Sequence, residues 1–148
     1  MSGPYIYSNP RSLIDPQKRV GDVAGNYVGE CVSLLKYYIH DLQNRKTTLW
    51  MEGRNVIEAI ERGESIAEGT AIATFINGRF ISGHGHAALF SRYTRDENGE
   101  IVIYVIEQYL GGRPSTGIQE RLLPNSGKNP DGTWHDRSNN GRAFSVIL

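Results

Sequence analysis

The stretch "HAALFSRYTRDENGEIVIYVIEQYL", residues 86–110, constrains the fold more than any other part of this chain. Two runs rich in β-branched and aromatic residues flank "RDENG", whose Asn98-Gly99 pair is a strong hairpin signal. An antiparallel sheet must therefore lie at the centre of the molecule. "GTAIATFI", residues 69–76, reads as a strand before the hairpin, closed by the turn "NGRFISGHG". "IQERLL" reads as a short strand after it, and "RAFSVIL" as the last strand.

Upstream the periodicity changes from two to 3.6. Val32, Leu35, Ile39 and Leu42 recur at spacings of three and four, which predicts a helix over residues 30–43. Leu34 and Tyr38 widen its apolar stripe, so it is expected to be buried on more than one side. A second helix is predicted over Val56 to Arg62, between "LWMEGRN" and "RGESIAEG". Helices first and an antiparallel sheet after them make an α+β domain. Residues 1–26 are rich in Pro, Gly and Asn, and residues 1–20 are expected to form an irregular arm. A chain of 148 residues suits a single domain with a sizeable core. It holds no internal repeat and no low-complexity tract.

Lys plus Arg and Asp plus Glu each number 16, giving a formal net charge of zero. That balance argues against a nucleic-acid partner, and no basic amphipathic run suggests a membrane surface. No apolar segment is long enough to span a bilayer. "MSGPYIYSNPRSLIDP" lacks the charged start and apolar run of a secretory signal. The chain is expected to be soluble and made in a cytoplasm.

Within "YVGECVSLLKYYIHDL" lies the one cysteine, Cys31, at the predicted start of the first helix. A lone cysteine cannot form an internal disulfide, so it packs, binds a ligand or acts as a nucleophile. A helix N-terminus favours the thiolate, and its unpaired N–H groups can bind an oxyanion. Gly29 just before would let a substrate backbone approach closely. A nucleophilic thiol needs a base, and the histidines are His40, His84, His86 and His135. His40 sits nine residues up the same helix, out of reach, and His135 reads as a solvated residue of the long polar loop. His84 and His86 stand at the start of a strand, where a side chain can be held rigidly against a cleft. Glu107, an acid inside an apolar strand, needs a partner, because buried carboxylates are rare unless paired. A two-residue turn at Asn98-Gly99 would pair it with Phe90, on the face of His86 but about 13 Å from it along the strand. A wider loop or a bulge would close that gap and keep the face. Gln108 points the other way.

"GECVSLLK", "WMEG", "GTAIATFINGR", "HAALF", "EQY" and "SNNGRAFSVI" occur here in that order. Together they resemble the papain-like cell-wall amidases and peptidases of the NlpC and CHAP superfamily. The match is closer to the small bacterial amidase effectors delivered by type VI secretion, and covers about residues 20–148. In relatives the acidic position is often Asp, and the "HAA" motif singles out His86 rather than His84. The resemblance implies a papain-like α+β fold, one catalytic amidase domain over residues 1–148, and hydrolysis of an amide in the stem peptide of peptidoglycan. Cys31 would be the nucleophile, His86 the base and Glu107 its orienting partner. The Cys31 N–H would form part of the oxyanion hole, with Tyr27 or Asn26 supplying the rest. Gly29, Glu30, His84 and Gln108 would bind around the substrate. No cofactor or metal is implied. The expected partners are the stem peptide and an inhibitory immunity protein, which part of the 111–142 segment would meet unless it lines the cleft. The expected site of action is the periplasm of a target cell, with neither nucleic-acid binding nor membrane insertion.

Two other readings fit fewer residues. His84 and His86, with Glu107 or Cys31, could hold zinc in a different hydrolase. Or the chain could be a cell-wall-binding module that keeps the fold without turnover.

Overall fold

The computed structural model describes residues 3–109 and 117–148. Leu110 and the start of the polar segment, through Thr116, lie outside the described residues. The elements run α1 (Cys31–Tyr38), β1 (Glu52–Asn55), α2 (Val56–Glu61), β2 (Ala71–Thr74), β3 (Ala87–Arg95), β4 (Ile101–Glu107), β5 (Gln119–Leu123) and β6 (Phe144–Ile147). The strands form one six-stranded sheet in the order β1-β6-β2-β3-β4-β5, and every neighbouring pair is antiparallel. The fold is α+β, as the change of periodicity indicates.

Both faces of the sheet are buried, so its central strands read as near-continuous apolar runs. On one face Leu34 and Leu35 of α1 pack with Ala71, Ala73, Ala87, Leu89 and Ile106. On the other Val56, Ile57 and Ile60 of α2 pack with Ile72, Ala88, Phe90, Ile103, Val105 and Phe144. Alternation along β3 thus sends Ala87 towards α1 and Ala88 towards α2. The alanines under α1 let the helix lie close to the sheet.

Three boundaries differ from the sequence expectation. α1 ends at Tyr38, because Ile39 turns extended and a 3-10 turn at His40–Leu42 follows. Ile39 and Leu42 are nonetheless buried, so the apolar spacing continues past the helix on a different backbone path. β1 is an additional strand that precedes α2, at the sheet edge beside β6. Its four residues, Glu-Gly-Arg-Asn, carry no apolar alternation, which is why periodicity misses it. The N-terminal arm is irregular yet built into the core. Tyr5, Leu13 and Val20 are buried with the α1 cluster, and Ile6 and Asp15 form isolated bridges to Thr70 and Ile118.

The β3–β4 hairpin closes through five residues, Asp96–Glu100, with Asp96 Oδ1 accepting the N–H groups of Asn98 and Glu100. Near this loop Tyr93 pairs with Ile103 and Arg92 with Tyr104. Carried on unchanged, that register would set Glu107 opposite Leu89, on the α1 face and away from His86. The register instead shifts between Phe90 and Arg92, where Ser91 bulges, and beyond it Leu89 pairs with Ile106. Glu107 therefore falls across from Ala88, on the face of His86 and about 7 Å away along the strand. Loop and bulge each move the register by one residue, and both are needed.

The arm is locked at Gly69, whose φ is +91° and where an added Cβ would sit 1.7 Å from the Tyr7 carbonyl oxygen. Tyr7 N–H bonds Gly69 O at 3.0 Å, and Ala71 N–H bonds Tyr5 O at 2.7 Å. Gly69→Ala should cost more than the ~1–2 kcal/mol of a left-handed backbone alone, because the arm must also move. A urea midpoint close to that of the parent chain would contradict this.

Candidate active site

At one end of the sheet the last residue of β2, the residue before β3, the last of β4 and the first of β5 come together. Glu107 ends β4 and is completely buried. His86 Nε2 meets its Oε1 at 2.6 Å. Arg121 donates to it twice, from Nε at 2.6 Å and from Nη2 at 3.1 Å. Gln119 Nε2 adds a bond of 2.9 Å. The β4–β5 register explains this grip, since Gln119 lies directly opposite Glu107 and Arg121 lies opposite Val105 on the same face. Arg121 in turn donates to Asn139 Oδ1 at 2.6 Å and to the Ser138 carbonyl at 3.2 Å.

His86 is buried and held from several sides. Its N–H donates to Thr74 Oγ1 and its carbonyl accepts the Thr74 N–H, each at 3.0 Å. Tyr109 and Phe144 meet its ring edge-on, with centroids at 5.9 and 6.2 Å. With Nε2 on Glu107, Nδ1 is the ring nitrogen left for Cys31, and thiol and ring each shift the other's titration. Cys31 is half-buried and is the first residue of α1.

The electrostatics follow from this geometry. Burial pushes the Cys31 thiol up, but the His86 hydrogen bond and charge, with backbone N–H groups of Ala87 and Val32, bring it below its ordinary value. Burial pushes His86 down, but its bonds to Cys31 and Glu107 raise it to about 9. Burial pushes Glu107 up, but His86 and Arg121 hold it at about 2. Each shift favours the charged form, so the surroundings favour a thiolate, an imidazolium and a carboxylate.

Gln108 belongs to the scaffold. It is buried, its Oε1 accepts the Val20 N–H at 3.0 Å, and its Nε2 donates to Val20 O at 2.7 Å and Glu30 O at 2.9 Å. It ties the arm to the start of α1 and does not line the cleft. Gly29 also serves the backbone: its φ is +87° and its N–H bonds Val20 O, turning the chain into α1. Tyr27 is 68% exposed and is not a wall of the cavity, while its carbonyl accepts the Ser33 hydroxyl and the Glu30 N–H. Asn26, exposed, turns its carbonyl to the Asp22 N–H, outside the same cavity. Glu30 does line the cavity. His84 is exposed and lines a neighbouring one. Among the described residues no three or more His, Cys, Asp or Glu side chains are placed to share a metal ion. The His84/His86 zinc reading therefore lacks a ligand set there.

The Cys31 cavity measures about 420 Å³. Its walls include Glu30, Val32, Phe80, Ser82, Tyr109 and Arg121, with Ser138 and Asn139 from the long polar segment. That segment does reach the cleft. Sequence reasoning missed Arg121, Gln119, Thr74 and Tyr109. The alternation Gln119, Arg121 in "IQERLL" was the available signal for the first two, since it puts both polar groups on one face of a strand.

Known proteins resemble this chain along nearly its whole length. The family model described as "Domesticated amidase effector 2" matches residues 5–147. A type VI secretion amidase effector 2 protein of Salmonella typhi is 32% identical over 149 residues, covering 97% of this chain and 98% of that protein. The solved structure of a type 6 secretion amidase effector 2 superposes with a TM-score of 0.72 at 28% identity, covering 98% of this chain and 94% of its own. This chain belongs to the domesticated amidase effector 2 family.

Proposed function

We propose that this protein is a cysteine hydrolase that cuts an amide bond in the stem peptide of peptidoglycan, and that it acts as an antibacterial effector. One observation carries the reading: a thiol at a helix N-terminus lines an open cavity together with an imidazole, and that imidazole is hydrogen-bonded to a buried carboxylate. The names of the relatives supply the amidase class and the type VI route.

In the proposed reaction the Cys31 thiolate attacks the amide carbonyl carbon, and the Cys31 N–H at the start of α1 stabilises the oxyanion. The C–N bond breaks as the His86 imidazolium gives its proton to the leaving amine. Water then attacks the thioester carbon, His86 takes a proton from it, and the acid product leaves with the thiolate restored. Glu107 keeps the His86 ring in line through Nε2, and Arg121 and Gln119 keep Glu107 in place. The plan suits a papain-like hydrolase of the NlpC and CHAP type. Tyr27 does not line the Cys31 cavity, so the oxyanion role proposed here rests on the Cys31 N–H. No described helix is long and apolar enough to cross a membrane, and delivery to the periplasm of a target cell would rest on the secretion machinery. An immunity protein is an expected partner.

Digestion of purified sacculi, with the new ends identified by mass spectrometry, tests the reading directly. Cys31→Ala should be inactive, and His86→Ala should lose ~10²- to 10⁴-fold in rate. His84→Ala should lose far less. Equal, complete loss from both histidine variants would mean the base has been misassigned.

The pH profile gives an independent check. His86 must be protonated to release the amine, and its pKa is raised, so kcat/KM should hold through neutral pH and fall as pH rises past about 9. Glu107→Gln removes a charge that raises His86, so the alkaline limb should move to lower pH. A limb unmoved by Glu107→Gln would show that the carboxylate does not set the imidazolium.

Expression with an added secretory signal should lyse a bacterium, while the Cys31→Ala form should be harmless with or without it. Lysis that survives loss of the thiol would rule out cysteine chemistry.

A further inference from the structure

Beside the Cys31 cavity lies a second of about 350 Å³, whose walls include His84, Trp134, Asp136, Arg137 and Ser138. The two share Gly83, Gly85 and Ser138, so they are adjoining lobes of one cleft. The cations of this cleft differ in what they already hold. Arg121 is spent, with all three nitrogens bonded to Glu107, Asn139 or Ser138. Arg137 has no ion pair and no side-chain hydrogen bond among the described residues, and its Nε is buried without a partner. The nearby acid, Asp136, is already engaged by Asn139 Nδ2 at 3.1 and 3.2 Å. Lys128 stands over the Trp134 ring, 4.6 Å from its centroid, and adds positive charge behind that wall.

The lobe is built, although it is made of loop. Asn140 is fully buried, donates to the carbonyls of Gly127 and His135, and accepts the N–H groups of Ser126 and Arg142. Asn129 Oδ1 meets His135 Nδ1 at 3.0 Å. A permanent cation with open donors thus lines a recess that adjoins the Cys31 cavity.

We infer that this second lobe is a subsite for a free carboxylate of the substrate, with the Arg137 guanidinium as its anchor. The inference rests on the amidase reading, since stem peptides carry free carboxylates close to their amide bonds. A guanidinium offers paired donors that match a carboxylate, and a neutral amide in its place would leave them unmet. His84 takes a place here as a wall of the subsite and not as the base.

The test uses stem-peptide fragments in three forms: all carboxylates free, side-chain carboxylates amidated, and C-terminal carboxylate amidated. Affinity is measured by calorimetry on full-length Cys31→Ala protein, and KM and kcat on the chain with Cys31 intact. One amidated form should bind about ten- to a hundredfold more weakly than the free acid, the range expected for hydrogen bonds to a charged group, and which form it is identifies the carboxylate. Arg137→Met and Arg137→Gln, studied in parallel, should erase that difference and raise KM with kcat unchanged, and Arg137→Lys should restore part of it. Equal affinity for all three forms, or discrimination that survives loss of Arg137, overturns the subsite. Arg137-dependent discrimination without turnover by the intact chain would uphold the subsite and sink the thiol chemistry. Turnover without discrimination would do the reverse.

Discussion

A carboxylate with no access to water sits at the end of β4, and much of the site can be understood as the means of keeping it there. An isolated buried charge is costly enough that an unpaired Glu107 would take up a proton. Three side chains prevent this: His86, Arg121 and Gln119. The held carboxylate stabilises an imidazolium, and the imidazolium stabilises a thiolate at the start of α1. The next residue works in the other direction. Gln108, pointing to the opposite side of the strand, holds Val20 and Glu30 and so fixes where α1 begins. Two consecutive side chains at one strand end thus set the positions of the base and of the helix that carries the thiol.

Much of this was legible in the sequence, for identifiable reasons. The hairpin signal and the shift from a helical to an alternating period were enough to find α1, α2 and five of the six strands. Cys31, His86 and Glu107 stood out because each is a residue type that its surroundings do not explain. Glu107 in "YVIEQYL" was the clearest, since an acid in an apolar strand demands a partner.

What stayed hidden depends on pairing rather than on local pattern. Arg121 and Gln119 matter because β5 lies beside β4, and nothing within "IQERLL" says which strand it joins. Gln108 enters as a site residue through the family resemblance alone, and its contacts with Val20 and Glu30 tie it to the scaffold. β1 lacks any apolar alternation, so its place beside β6 comes from main-chain pairing alone. The end of α1 was misjudged because Ile39 and Leu42 keep a helical spacing on a backbone that has left the helix.

The bulge at Ser91 bears on which changes of chain length this architecture can absorb. Residues added or removed at the tip, within Asp96–Glu100, leave the ladder below them as it is. A single residue gained or lost between His86 and the bulge, or between Ile103 and Glu107, exchanges the two faces of the strand end. It would leave one of the two groups on the α2 side and carry the other to the α1 side, parting the carboxylate from the imidazole. Length variants of this hairpin that keep both groups together should therefore differ at the tip, or differ by paired changes on the two strands that cancel.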